Sequence, residues 1–142
     1  MGKTYLIKKY IEYRVKSGEK FNFAITVPSK ALITEIRGSL LGDLDVELSQ
    51  NSYRIISSSE EYALQYENRN YIFVMTPERL SNLLSEDNEL RLDYLFIDES
   101  QKATEMDSRS IYYYDIIDQI KNWRQMPKIT FASPLISNPD FF

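Results

Sequence analysis

Two rhythms of apolar residues run along this chain. Leu6, Ile7, Tyr10, Ile11, Arg14 and Val15 recur at helical spacing within residues 4–17, and Gly18 follows as a stop. Residues 21–27, FNFAITV, are β-branched and aromatic and end at Pro28, which predicts a strand. Residues 29–41, SKALITEIRGSLL, predict a helix with Ser29 as its N-cap, and Gly42-Asp43 is expected to break it. A short strand is predicted at 53–57, YRIIS. The run SSSEEYALQYE opens on capping residues and predicts a helical turn. Residues 71–76, YIFVMT, read as a strand stopped by Pro77, and residues 77–85, PERLSNLLS, as a helix with proline in its first turn. Residues 93–98, DYLFID, predict another strand. Residues 108–123 predict a helix with Ile111, Tyr114, Ile117, Ile120 and Lys121 on one side, and residues 128–132, KITFA, a last strand ended by Pro134.

Strands that alternate with helices imply βαβ units, a mostly parallel sheet and a three-layer α/β/α architecture. FNFAITV, YIFVMT and DYLFID are apolar almost throughout, as strands are when helices cover both faces. In such sheets ligands sit beyond the carboxyl ends of the strands. The polar clusters fall at those ends: Pro28-Ser29-Lys30, Thr76-Pro77-Glu78-Arg79, Asp98-Glu99 and Ser133.

The 142 residues suit one domain spanning 1–142, with no repeat or linker inside it. Apolar residues are 43% and charged residues 27%, a globular composition. The 17 basic and 21 acidic residues leave a formal charge of -4, which excludes a broadly basic nucleic-acid coat but allows a local basic groove. The chain has no cysteine and no histidine, so thiol chemistry, imidazole catalysis and Cys/His zinc sites are excluded. Chemistry must come from carboxylates, hydroxyls, lysine, arginine, backbone amides or a hard metal ion. No apolar run approaches the ~20 residues that cross a bilayer, and the start lacks a signal-peptide stretch. A cytoplasmic location is therefore expected, with no membrane partner.

Several constellations carry chemistry. Gly2-Lys3-Thr4 opens a helix, as in a P-loop, where amides cradle phosphates, lysine reaches the β and γ phosphates and the hydroxyl binds Mg²⁺. The usual first glycine and preceding strand are absent, and the tripeptide also arises by chance. Asp98-Glu99 follows a buried strand, so the first carboxylate can hold Mg²⁺ and the second can orient or deprotonate a water. The alternative is two solvated acids. Pro28-Ser29-Lys30 and Thr76-Pro77-Glu78-Arg79 each follow a strand and open a helix. Exposed amides, hydroxyls and a cation there suit phosphodiester contacts without base readout, although ordinary capping requires no ligand. Tyr112-Tyr113-Tyr114 offers rings for base stacking, but at helical spacing they point in different directions and one or two belong to the core.

In order along the chain, Gly-Lys-Thr, Pro-Ser-Lys-Ala-Leu, Thr-Pro-Glu-Arg-Leu, Asp-Glu-Ser-Gln and Phe-Ala-Ser-Pro together resemble the first motor domain of the superfamily 2 DExD/H-box helicases. The resemblance runs from Gly2 to Pro139, and Thr-Pro-Glu-Arg-Leu is its most specific stretch. It implies a RecA-like P-loop NTPase fold that lacks the strand before the P-loop, and ATP-dependent work on DNA or RNA. By that resemblance Gly2, Lys3 and Thr4 contact ATP, and Thr4 and Asp98 hold Mg²⁺. Lys3, Asp98 and Glu99 form the catalytic set, with Glu99 positioning the attacking water. Pro28, Ser29, Lys30, Thr76, Pro77 and Arg79 line the path of a single-stranded backbone. Gln101 and Ser133 couple nucleotide state to strand movement. Gln101 replaces the usual final Asp or His of its motif, yet can still hydrogen-bond across a cleft. Ala132-Ser133-Pro134 keeps one hydroxyl where the family usually has Ser-Ala-Thr. The alternatives from other classes are a non-catalytic helicase-like binding module and a P-loop ATPase that does not act on nucleic acid.

The resemblance also implies a truncated first motor domain. Motors of this kind close ATP against a second RecA-like domain that supplies an arginine finger, worth ~10³–10⁵ in rate in related systems. The missing first strand is expected to leave KITFA as an exposed apolar edge, a template for self-pairing. The chain alone is expected to turn over ATP slowly or not at all. Steady-state phosphate release with single-stranded nucleic acid measures this, and robust turnover abolished by Lys3→Ala contradicts it.

Overall fold

The computed structural model describes residues 2–18, 20–64, 70–98 and 108–132. Its elements are α1 (Gly2–Lys16), β1 (Phe23–Thr26), α2 (Lys30–Gln50), β2 (Tyr53–Ile56), α3 (Ser59–Ala63), β3 (Asn70–Met75), α4 (Pro77–Glu86), β4 (Tyr94–Asp98), α5 (Ser108–Ile120) and β5 (Lys128–Ala132). Helix and strand alternate as the sequence predicts. The strands form one sheet in the order β2-β3-β1-β4-β5, and every pairing is parallel.

Strand periodicity sorts the core into two layers. Phe23, Ile25, Tyr53, Ile55, Ile72, Val74 and Phe96 face one side, where they pack against Ile7, Ile11 and Val15 of α1 and Ile33, Ile36, Leu40, Leu44 and Leu48 of α2. Their neighbours in sequence, Ala24, Ile56, Phe73, Met75, Leu95 and Ile97, face the other side and meet Leu80, Leu83 and Leu84 of α4 with Ile116 and Ile120 of α5. Side chains that alternate across a strand, each finding a helix, make three layers.

Two helices depart from the sequence reading. Gly42-Asp43 does not end α2, which runs on to Gln50. Leu40, Leu44 and Leu48 continue the buried stripe across Gly42. Burying one leucine is worth about 1.5–3 kcal/mol, which exceeds the roughly 1 kcal/mol cost of a helical glycine. On α5, Ile111 and Tyr114 are 67% and 64% exposed, so the predicted side fails there, while Ile117 and Ile120 of the same set pack on the core. The buried face carries Ile116 and Ile120, with Tyr113 and Ile117 packed beside them.

The turns follow from local chemistry. Gly18 adopts φ +85 where α1 folds back toward β1, a conformation that side-chain-bearing residues rarely adopt. At the amino end of the sheet, Asn22 joins three strands. Its N–H donates to Asp93 Oδ2 at 2.7 Å, its Nδ2 donates to Arg91 O at 3.0 Å, and its Oδ1 accepts from Tyr71 N at 3.0 Å. Nearby, Tyr10 and Phe21 pack edge-on against Tyr94, and the Arg14 guanidinium lies over Tyr10, Tyr13, Phe21 and Tyr94. Burial, then the hydrogen bond with Tyr10, holds the Tyr94 phenol up to about 12.

At the far side β5 is, among the described residues, the edge strand, as expected for KITFA, and Phe131 is 42% exposed. Lys128 N donates to Asp93 O at 2.9 Å, so in a parallel ladder the amides of Ile129 and Phe131 point away from β4. Among the described residues no helix is long and apolar enough to cross a membrane.

Asn22→Ala removes the acceptor for Tyr71 N. We expect a loss of about 1–3 kcal/mol, read as a lower urea midpoint at unchanged slope. An unchanged midpoint would show that water replaces the side chain at no cost.

Candidate functional site

The sheet register sets the height at which the chain leaves each strand. Thr26 is level with Met75 on one side and Ile97 on the other, and Ile97 is level with Phe131. The residues that follow therefore gather along one edge. Asp98 ends β4 opposite Ala132, is 7% exposed, and its carbonyl accepts from Tyr113 Oη at 3.4 Å. An aspartate this buried at a strand end faces a desolvation cost that a cation or hydrogen-bond donors must offset.

Two helices start on the same edge. After β1, Ser29 caps α2, its Oγ accepting from Leu32 N at 3.3 Å. After β3, Thr76 caps α4, its Oγ1 accepting from Arg79 N at 3.5 Å, and Pro77 takes the first helical position, where no N–H is needed. Each hydroxyl is used as an acceptor and keeps its own O–H to donate. Helix starts carry roughly +0.5 of an elementary charge, so both favour an anion. Pro28 and Pro77 are buried and set the backbone, Ser29, Thr76 and Arg79 are half-buried, and Lys30 is exposed beside the α2 start. Arg79 directs Nη1 to the carbonyl of Ser57 at 2.9 Å.

α1 runs antiparallel to β1 and β4. Tyr10 meets Phe96 edge-on, and Ile7, one turn earlier, lies in the same core layer. The backbone of Gly2, Lys3 and Thr4 therefore forms the first turn of α1 on the side of the sheet where β4 ends in Asp98. Lys8 fastens α1 to α2 by donating to Ser39 Oγ at 2.8 Å and by pairing with Asp43. The side chains of Lys3 and Thr4 lie outside the described residues, as do Glu99, Gln101 and Ser133. Of the three tyrosines at 112–114, Tyr113 packs on the core while Tyr114 is exposed.

One cluster on this edge was not singled out in the sequence. Arg37 of α2 forms a two-pronged ion pair with Glu61 of α3, Nη1 to Oε1 at 3.0 Å and Nη2 to Oε2 at 2.8 Å. Nη1 also donates to Ser57 Oγ at 2.9 Å, and Ser57 N donates to Glu61 Oε1 at 2.7 Å. The legible signal was Ser58-Ser59-Glu60-Glu61, a capping-box spacing in which Ser58 Oγ accepts from Glu61 N at 3.2 Å. The glutamate reaches back to Ser57 rather than to the cap itself. The Arg37 fork, helped by the Ser57 amide, holds the Glu61 carboxyl below the usual range against the opposing effect of burial.

Against known proteins, the family model described as DEAD/DEAH box helicase matches residues 1–137. A search of curated proteins finds no match.

Because protonation of Glu61 breaks its bonds to Arg37, the pair contributes stability that is present above the ordinary glutamate value of 4.5 and is lost as pH falls through the lower folded value. Both side chains are about one-third exposed, so the contribution is small, roughly 0.5–1 kcal/mol. Glu61→Gln should lower the urea midpoint at neutral pH, and the gap to the parent should close in acid. A gap of constant size at all pH values contradicts the assignment.

Proposed function

The chain belongs to the DEAD/DEAH box helicase family, and on that premise we propose that residues 1–142 act as the first motor domain of an ATP-dependent nucleic-acid helicase or translocase. The family consists of ATP-dependent motors that use Mg²⁺ and bind nucleic acid. The observation that carries the reading for this chain is the shared edge. A buried aspartate at the end of β4 sits level with the capped starts of α2 and α4 on the next two connections.

The residues divide into two groups across that edge. Asp98 and Thr4 hold Mg²⁺, while Lys3 and the amides from Gly2 onward take the phosphates. Bound Mg-ATP supplies the phosphoanhydride whose cleavage drives the motor. Asp98 is suited to its part because burial leaves it few competing water contacts. Glu99, next along the chain, orients a water and takes its proton. On the other side, Ser29, Lys30, Thr76 and Arg79, set by Pro28 and Pro77, grip a single-stranded backbone. Amides and hydroxyls reach phosphates without reading bases, and the cations add charge where the chain as a whole is acidic. Gln101 and Ser133 couple the two groups, and a second RecA-like domain closes over the nucleotide.

Two titrations test the division. Asp98→Asn should weaken binding of a fluorescent Mg-nucleotide at least about tenfold, about 1.4 kcal/mol, while leaving oligonucleotide binding intact. Lys30→Ala should do the reverse and flatten the salt slope for a single-stranded oligonucleotide by about 0.7. Nucleotide binding with no oligonucleotide binding points to an ATPase acting elsewhere. Oligonucleotide binding that is indifferent to nucleotide points to a non-catalytic module.

A further inference from the structure

We propose that Arg37 is a positioning residue for the nucleic-acid backbone, fixing the Ser57 turn from α2 while Arg79 grips the same turn from α4. The proposal rests on the reading of the α2 and α4 starts as backbone contacts, and it names what makes them act together.

Ser57 is held through its side chain, its amide and its carbonyl. Its Oγ accepts from Arg37 Nη1, its N–H donates to Glu61 Oε1, and its carbonyl accepts from Arg79 Nη1. The partners come from three different helices, and Ser57 itself is 8% exposed. β2 needs such a brace. It is an edge strand, paired only to β3 among the described residues, and the helix that follows has five residues, too few to hold a position by itself. Arg37 and Glu61 lie far apart in sequence and still meet as a fork against a carboxylate, the geometry that fixes orientation as well as distance.

The consequence passes through Arg79. Its guanidinium is aimed by the Ser57 carbonyl, so the place of that cation depends on a turn held by Arg37. The same fork joins the body of α2, whose start carries Ser29 and Lys30, to the connection beside α4, whose start carries Thr76. A backbone crossing both starts then meets groups already fixed relative to one another. Pre-organised contacts bind more tightly because less freedom is lost on association. Without the fork each start still exists, but Arg79 and the Ser57 turn must be ordered by the ligand.

The test uses the full chain and a labelled single-stranded oligonucleotide, titrated by anisotropy at several salt concentrations. Arg37→Gln should weaken binding about 5–10-fold at every salt concentration and leave the salt slope unchanged, because Arg37 itself touches no phosphate. Arg37→Lys, which keeps the charge but not the fork, should fall between Arg37→Gln and the parent. Lys30→Ala, by contrast, should flatten the slope. Binding by Arg37→Gln or Arg37→Lys as tight as the parent's overturns the proposal. So does a flattened slope in Arg37→Gln, which would make Arg37 a direct phosphate contact. If Arg37→Gln does not fold, Ser57→Ala deletes only the Oγ link and should weaken binding about 2–5-fold with the slope kept; parent-like affinity there overturns the proposal equally. A parent chain that binds no oligonucleotide removes the underlying reading, and this one with it.

Discussion

The parallel ladder around β1 is the constraint on which the remaining structure depends. β1 bonds to β3 on one side and β4 on the other, in register from Phe23 to Thr26. Because all strands run the same way, each connection leaves from the same edge. The helix that follows a strand must then present its start, with unpaired amides, to that edge. Had one of these strands run in reverse, Ser29, Thr76 and Asp98 could not be neighbours. The ladder is stable because both of its faces are covered, one by α1 and α2 and the other by α4 and α5. Asn22 then locks the opposite end, where β1, β3 and β4 begin.

Polar side chains finish what the ladder begins. Between α4 and α5, Ser81 donates to Asp115, and Gln119 Nε2 bridges Asp115 Oδ2 at 2.8 Å and Ser81 O at 3.3 Å. On the opposite layer Lys8 ties α1 to α2. Around Ser57 the Arg37–Glu61 fork joins α2 to α3, and Arg79 adds α4. These contacts add directional links between the helices to the close packing of the apolar core. The acidic sum of the chain is consistent with this use of its cations. Arg37 is held by Glu61 and Ser57, and Arg79 by the Ser57 carbonyl, so both cations are placed by specific partners near one edge rather than spread over a basic surface.

Much of the fold was legible because it depends on local pattern. FNFAITV, YIFVMT and DYLFID are too uniformly apolar to be anything but doubly covered strands, and the serine and threonine caps mark the helix starts. The errors arose where tertiary burial outweighed local chemistry. Gly42 reads as a stop, but the leucines on both sides of it are buried and carry α2 through. On α5 the run from Ile111 to Ile117 offers several apolar faces, and position against α4 selects the one with Ile116 and Ile120. The caps and Asp98 could be placed from sequence because each lies at the end of a strand. The Ser57 brace could not, because Arg37, Glu61 and Arg79 belong to separate helices and only the folded sheet brings them together.

The strand order has a consequence for how the chain is made. β1 precedes both of its partners in the chain, yet it ends in the middle of the sheet, and those partners, at Ile72 and Tyr94, come much later. A ribosome-bound chain therefore carries Phe23, Ala24 and Ile25 with neither neighbour present until β3 has emerged, and with only one until β4 follows. Contacts this distant in sequence form slowly and leave apolar strand edges open in the meantime. The nascent protein thus passes through a long interval in which a segment that ends fully buried has no partner strand beside it.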